Sequence, residues 1–381
     1  MMYMKVRLGN YIEEYSKKNK ADEDIPVYSV TSTQGFCRDY FGKEVASKDK
    51  TTDKIVPQGC FAYNPSRINV GSVDWQRNEE RVIVSPLYNV FSVSEELDQE
   101  YLYYYLKSDF ALQRIRAVAT GSVRDNLKLE MLKEFPILLP PKNDQKTIAN
   151  NLDRVKRIIE LRKSEIDKMN ELIKARFVEM FGDKEKAWPV VTIADICKDS
   201  RTGPFGSALH HDEFVNEGIF VLGIDNAVEN RFSYNRMRYI TEDKYQQLKR
   251  YTVYPGDVII TIMGTVGRSA VIPKDMPKAI NTKHLACITP DAGVVDSYFL
   301  CNAFQIHPDI KQQLRGQTKG AIMDGLNLTI IKGLKFRLPP LELQKQFLEF
   351  YNQVDKSKVA VQKALEKTQL LFDSLMQQYF G

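Results

Sequence analysis

From residue 142 to 181 the chain contains neither Pro nor Gly, and apolar side chains return every third or fourth position. The seam runs through Ile148, Leu152, Val155, Ile159, Arg162, Ile166, Met169, Ile173, Arg176 and Met180. A second seam of the same period occupies Phe347, Tyr351, Val354, Lys358, Val361, Leu365, Thr368, Phe372, Leu375 and Tyr379. Eight of ten positions are apolar in each, and a period alternating between three and four predicts paired α-helices of coiled-coil type. Ile148, Leu152, Val155, Ile166, Ile173, Phe347, Val354, Leu365 and Phe372 are the residues expected to mediate helix pairing. Lys156, Arg157, Glu160 and Lys163 off the first seam, and Lys356, Lys363 and Glu366 off the second, mix both signs and read as solvated faces.

The two seams belong to a duplication. Residues 121–182 and 320–381 align without a gap, and fifteen of 62 positions are identical, including Asp125/Asp324, Pro140/Pro339, Pro141/Pro340, Gln145/Gln344 and Phe181/Phe380. The echo continues upstream, where Lys5–Ile12 is similar to Val190–Cys197 and Pro57–Phe61 to Pro255–Ile259. The chain is therefore two copies of one plan, a mixed globular part followed by a helical tail. In each copy Leu-Pro-Pro, at 139–141 and 338–340, closes a short apolar run expected to be a strand, and proline then presets the helix start. A tail of ~36 helical residues is about 54 Å long. Antiparallel pairing of the tails, with a globular part at each end and a pseudo-twofold axis across the rod, is the expected arrangement.

The globular parts alternate strand-like runs with Gly/Pro turns. Val253–Ile262, Ser269–Pro273 and Leu285–Thr289 are expected strands, Arg81–Val93 holds two more, and Asp98–Ser108 and Asp296–Ile306 are expected helices. The tyrosines at 101, 103, 104 and 105 favour packing of that helix on a sheet over base stacking.

Composition narrows the function. Hydrophobic residues are 43% and charged residues 27%, which suits core-forming domains and excludes disorder. A net charge of +5 permits nucleic acid without requiring it. No run approaches the ~18 apolar residues of a membrane helix, and the first residues, MMYMKVRLGN, lack a secretory h-region. Five scattered cysteines, never spaced CxxC, argue against disulfides or zinc and for a reducing cytoplasm. Neither GxGxxG nor GxxxxGK[ST] occurs. Asn64-Pro65-Ser66-Arg67 lacks the second proline and the aromatic of an adenine-methyltransferase loop, and the adjacent His210-His211 reads as surface loop. No catalytic residue, metal ligand or bound cofactor is expected.

What remains is a set of loops rich in Gly and basic residues: Tyr63–Asn69, Gly121–Arg124, Arg201–Ser207, Gly264–Arg268 and Asn281–His284. Glycine lets backbone approach a ligand, Arg presents a donor fork to guanine, Asn reads adenine, and Lys neutralises phosphate. The candidate DNA-binding residues are Asn64, Arg67, Asn69, Arg124, Arg201, Phe205, Ser207, Arg268, Lys283 and Lys319.

Gly203-Pro204-Phe205-Gly206-Ser207-Ala208-Leu209, Tyr254-Pro255-Gly256-Asp257-Val258-Ile259, Gly264-Thr265-Val266-Gly267-Arg268 and Leu338-Pro339-Pro340-Leu341-Glu342-Leu343-Gln344, with Gly59–Arg67 and Leu139-Pro140-Pro141 plus Gln145 in the first copy, resemble the specificity subunit of type I restriction–modification systems over the whole chain. The resemblance implies an α+β protein with two similar target-recognition domains, 1–141 and 188–340, separated by an antiparallel coiled coil of spacer helices, 142–187 and 341–381. Each domain would read one half of a bipartite double-stranded DNA site, and the helices would set the spacer and dock methyltransferase subunits, two of them. Those subunits would methylate adenine with S-adenosylmethionine; restriction/translocase subunits would complete the nuclease. The first copy departs from the pattern in lacking a GPFGS-type loop, so the two halves should differ in sequence. The competing readings are a stand-alone methyltransferase or nuclease, which needs a cofactor loop or acidic metal cluster, and a coiled-coil adaptor without DNA binding.

Overall fold

The computed structural model describes residues 4–38, 50–119, 126–183, 186–205, 208–317 and 326–381. They form two compact units, residues 1–164 with 362–381, and residues 165–361. Both boundaries fall inside the long helices, so each unit contains a part of each helix.

The first unit contains strands β1 (Lys5–Arg7), β2 (Ile12–Glu14), β3 (Ser29–Thr31), β4 (Gly35–Cys37), β5 (Lys54–Pro57), β6 (Phe61–Tyr63), β7 (Val73–Trp75), β8 (Arg81–Val84), β9 (Asn89–Val93) and β10 (Pro136–Leu138). Its helices are α1 (Gln99–Lys107), α2 (Asp109–Val118), α3 (Leu129–Lys133) and the N-terminal part of α4 (Lys142–Phe181). A four-stranded antiparallel sheet runs β2-β9-β6-β7, flanked by the pairs β5-β8, β3-β4 and β1-β10. Strand side chains alternate between faces. Phe61, Tyr63 and Phe91 thus enter a core with Leu102, Leu106 and Ile115 of the helices, while Ala62 and Val90 face a second cluster with Val56, Val82 and Val84.

The second unit repeats this plan with β11 (Val190–Thr192), β12 (Cys197–Thr202), β13 (Ile219–Leu222), β14 (Tyr239–Ile240), β15 (Thr252–Val253), β16 (Val258–Thr261), β17 (Ser269–Val271), β18 (Ala279–Asn281), β19 (Leu285–Pro290) and β20 (Lys335–Arg337). Its helices are α5 (Glu242–Leu248), α6 (Ser297–Ile306), α7 (Pro308–Gln317), α8 (Leu328–Gly333) and the first part of α9 (Leu341–Phe380). The sheet β12-β19-β16-β17 matches β2-β9-β6-β7, and β11-β20 matches β1-β10. A further sheet, β14-β13-β18-β15, is found in this copy and pairs β13 parallel to β18. The run Val253–Ile262, expected as one strand, is two. Pro255 has no N–H for a ladder and Gly256 takes φ +87°, so the chain turns between β15 and β16.

The helices begin and pair as the sequence leads one to expect. Asp98 and Asp296 cap α1 and α6 by accepting from Glu100 N and Tyr101 N, and from Tyr298 N and Phe299 N. The seam positions of α4 and α9 are all buried or half-buried, whereas the positions between them are largely exposed. Within the first unit, Arg162 of α4 donates to the Ala364 carbonyl and Thr368 hydroxyl of α9, while Leu152 shares a core with Phe380. Within the second, Lys358 of α9 donates to Asn170 at 2.7 Å, and the rings of Phe177 and Phe347 lie 5.2 Å apart. Higher numbers on one helix meet lower numbers on the other, so the pairing is antiparallel.

The tyrosine stripe is structural. Tyr101, Tyr104 and Tyr105 are buried and donate to Leu138 O (3.0 Å), Asp153 Oδ1 (2.5 Å) and Pro136 O (2.8 Å). They pack against β10 and the long helices, not only against the sheet. Tyr104 and Tyr105 are held far above ordinary phenol titration, chiefly by burial.

Candidate nucleic-acid interface

Strand register decides which loops meet. In the second unit Thr202 of β12 lies opposite Ala286, Thr261 of β16 opposite Leu285, and Leu222 of β13 beside Asn281 of β18. The ends of β12, β13, β16 and β18 and the start of β19 therefore share one edge. The segments leaving that edge include Gly203–Phe205, Gly223–Asn226, Ile262–Arg268 and Thr282–His284. Ile262 N donates to His284 O (2.9 Å) and Thr282 N to Leu222 O (3.2 Å). Gly203 abuts the backbone of Asn281 and Thr282 so closely that a Cβ would sit 2.2 Å from the Thr282 carbonyl carbon. This is the close approach for which glycine is needed.

Three expected contact residues are carried on these loops: Phe205, which is 57% exposed, Arg268, which is exposed, and Lys283, which is half-buried. Sequence reasoning did not place Arg238 and His284 among them. Arg238 pairs with Asp225 at 2.9 Å, and burial together with Lys283 and Arg238 lowers the His284 pKa, which keeps its ring neutral near pH 7. The signal for Arg238 was weak, because a lone Arg in an unpatterned segment carries no spacing, whereas His284 ends the Asn281–His284 loop already singled out.

Arg201 has a different place. Its side chain is only 11% exposed, and the guanidinium donates to Thr252 O (2.8 Å), Asp199 (2.7 Å), Thr289 Oγ1 (2.9 Å) and the fully buried Asp257. Asp257 also accepts from Tyr254 N (2.9 Å) and Thr289 Oγ1 (2.7 Å). A buried carboxylate needs such partners, so Arg201 is committed to holding the β15–β16 turn instead of the base-reading role expected of it.

In the first unit the equivalent hairpin loop runs from Asn64 to Ser72. Asn64 Oδ1 accepts from Ser66 N (3.1 Å) and Ser66 Oγ (2.9 Å), a local turn that occupies the side chain. Arg67 projects exposed from the loop, and Asn69 is half-buried, its carbonyl accepting from Arg116 Nε at 3.2 Å. Lys107 donates to the carbonyls of Gly71 and Ser32, clamping the loop, and burial brings its ammonium down to about 8. Asn64, Arg67 and Asn69 thus share one loop. Arg124, Ser207 and Lys319 lie outside the described residues. Among the described residues no group of His, Cys, Asp or Glu could hold a metal ion, and no helix is long and apolar enough to cross a membrane.

Two copies of a loop-bearing sheet, each joined to part of an antiparallel helix pair, define a duplicated recognition protein rather than an enzyme with one cleft. The sequence model described as the type I restriction modification DNA specificity domain matches residues 7–171 and again 185–370. The specificity subunit of the type I restriction enzyme MjaVIII from Methanocaldococcus jannaschii is 22% identical over 394 residues, spanning 95% of this chain and 90% of that protein. The EcoBI specificity subunit of Escherichia coli is 21% identical over 360 residues, spanning 85% and 75%. The fold is similar to the solved S subunit from M. genitalium, with a TM-score of 0.59 at 17% identity over 100% of this chain and 96% of that one. It is similar also to a chain in a structure of type I R-M complex assembly, with a TM-score of 0.60 at 16% identity over 99% and 97%. The chain belongs to the type I restriction–modification DNA-specificity family, and in it serves as a recognition subunit, not a catalyst. The resemblance read from its motifs is therefore correct.

Proposed function

We propose that the loop-bearing edge of each copy reads one half of a bipartite double-stranded DNA site, with residues 1–141 and 188–340 as the two target-recognition domains. The observation that carries this is the recurrence of one sheet, β2-β9-β6-β7 and β12-β19-β16-β17, bearing hairpin loops, Asn64–Ser72 and Ile262–Arg268, that share a Val-Gly and differ in length and in their other residues. A shared scaffold with divergent loops suits two readers of different sequence. Arg67, Asn69, Phe205, Arg268 and Lys283 are the residues we assign to DNA contact among those described. The helical segments, 142–187 and 341–381, set the unread spacer and dock two methyltransferase subunits. Those subunits bring S-adenosylmethionine and methylate adenine, and restriction/translocase subunits add cleavage. The protein works in the cytoplasm, with the DNA it reads.

Exchange of residues 1–141 for the equivalent part of a relative tests the modular reading. Modified-base sequencing of host DNA should show one half of the methylated sequence changed and the other retained. A change in both halves, or in neither, would overturn it.

A further inference from the structure

One side chain is used alike in the two copies although its type differs. Lys107 of α1 and Gln305 of α6 stand in the last turn of their helices, at the same distance from the aspartate that caps each. Both are half-buried, and both reach to where the hairpin loop re-enters its sheet. Lys107 Nζ donates to the Gly71 carbonyl, just before β7, and to Ser32 O at 3.2 Å. Gln305 Nε2 donates to Ser269 O (3.3 Å) and Ser269 Oγ (3.2 Å), in the first residue of β17, and to Asn230 O at 3.3 Å. Asn230 closes the circuit, its Oδ1 accepting from Ser269 N at 3.3 Å. In each copy the second acceptor belongs to another stretch of chain. Ser32 lies in the tight turn between β3 and β4, Asn230 in the longer segment between β13 and β14. A repeated hairpin is thus tied to a neighbouring segment that is built differently in each copy.

The hairpins need such a tie. Strands β6 and β7 have three residues each, and the loops Asn64–Ser72 and Ile262–Arg268 exceed the ~2–5 residues of most hairpins. Strand pairing does not extend over such loops, and both return through left-handed glycine, Gly71 at φ +82° and Gly267 at φ +80°. A donor anchored on a packed helix fixes the point of return, and with it the exposed Arg67 and Arg268. Side chains that recognise a ligand must be held to within ~0.5 Å by such supporting contacts. The fold itself asks less of the tie. Gly71 O also accepts from Val73 N at 2.9 Å and Ser32 is exposed, so removal of the Lys107 donors strands no buried carbonyl.

We propose that Lys107 and Gln305 are the positioning residues of the two readers, each setting the sequence fidelity of its own half-site by locking the hairpin to the neighbouring segment. This deepens the DNA-reading role proposed above and rests on it.

The test uses the full chain assembled with its methyltransferase subunits. Methylation rates are compared on the recognised duplex, on duplexes altered at one base pair of the first half, and on duplexes altered in the second. The first half is the one that exchange of residues 1–141 changes. A wrong base pair weakens recognition by about tenfold or more. K107M keeps the length of the side chain and removes its donors. It should erase about tenfold of the discrimination against first-half changes and leave second-half discrimination as it was. Q305M should do the reverse. K107R retains donors and should discriminate as the wild type does. Unchanged discrimination in either methionine variant overturns the proposal. So does loss at both halves or failure to assemble with the methyltransferase subunits, which would mark a side chain that serves the fold. Relaxation in K107R equal to that in K107M would overturn it as well, because the donors would then not matter. A wild-type complex that methylates every duplex alike would instead sink the DNA-reading role itself.

Discussion

Gln145 and Gln344 make the same three hydrogen bonds in the two copies. Gln145 accepts from Asp98 N (2.8 Å) and donates to Glu96 O (3.0 Å) and Pro140 O (2.8 Å). Gln344 accepts from Asp296 N (2.9 Å) and donates to Val294 O (3.2 Å) and Pro339 O (2.8 Å). Each fully buried amide rivets the first turn of a long helix to the capping residue of α1 or α6. The repeat alignment marks both glutamines, but their task was not legible, because two of the three partners of each are backbone groups 47 to 50 residues away. Q145A or Q344A leaves buried backbone groups unpaired and should cost about 1–3 kcal/mol. Urea unfolding of each variant measures it, and a loss within error of zero would deny the rivet. His307 is a second case. Its Nδ1 accepts from Asp309 N (3.2 Å), its ring is buried against Phe177 and Phe336, and burial depresses its pKa below 6.5. The folded ring stays neutral while the unfolded one takes up a proton as pH falls below 6.5. The unfolded state then binds more protons, so this contribution is complete above that pH and is lost below it. H307N keeps an acceptor for Asp309 N without titrating, and its unfolding midpoint should fall less between pH 7 and pH 5 than that of the wild type. Parallel profiles would exclude His307 as the cause.

At the scale of elements, the long helices were the most legible part. Their seams follow from period alone, and all twenty seam positions are buried or half-buried, even where the residue is Arg162, Arg176 or Lys358. Three things were hidden. Pro255 and Gly256 divide one apolar run into strands of different sheets, and a hydropathy pattern does not register a turn inside it. Arg201 stands in the sequence beside a glycine-bearing segment, the usual mark of a ligand site, yet it lies in β12 and Asp257 claims it through tertiary contact. The helix ends also settle among residues of the other copy: Phe181, at the end of the first tail, packs on Phe299 at 5.0 Å, and Phe380, at the end of the second, packs on Tyr101 at 5.2 Å. Phe177 belongs to the same arrangement, fully buried with its ring 5.6 Å from Phe299 and 5.2 Å from Phe347. F177A opens a cavity there, and the expected loss is about 3–5 kcal/mol. Chemical denaturation measures this, and a loss below about 1 kcal/mol would mean that the aromatic cluster relaxes around the gap.

For the whole molecule, duplication separates what is fixed from what varies. Both copies keep the sheet, the capping aspartate, the buried glutamine and the Leu-Pro-Pro start of a helix of 40 residues. They differ in their hairpin loops, the parts assigned to DNA. A helix of 40 residues is about 60 Å long. If the helix pair sets the unread spacer, its length can be changed without touching the readers. Seven residues inserted after Glu165 and seven after Gln362 preserve both seams, because the heptad repeats, and lengthen the pair by about 10.5 Å. At 3.4 Å per base pair that is about three more unread positions. Methylated sites mapped in cells carrying the lengthened protein and its methyltransferase subunits should keep both half-sequences while the gap between them grows. Four residues inserted near Glu165 alone displace one seam against the other and should weaken methylation at every site. An unaltered gap in the lengthened protein, with methylation intact, would show that the helices join the readers without measuring the distance between their targets.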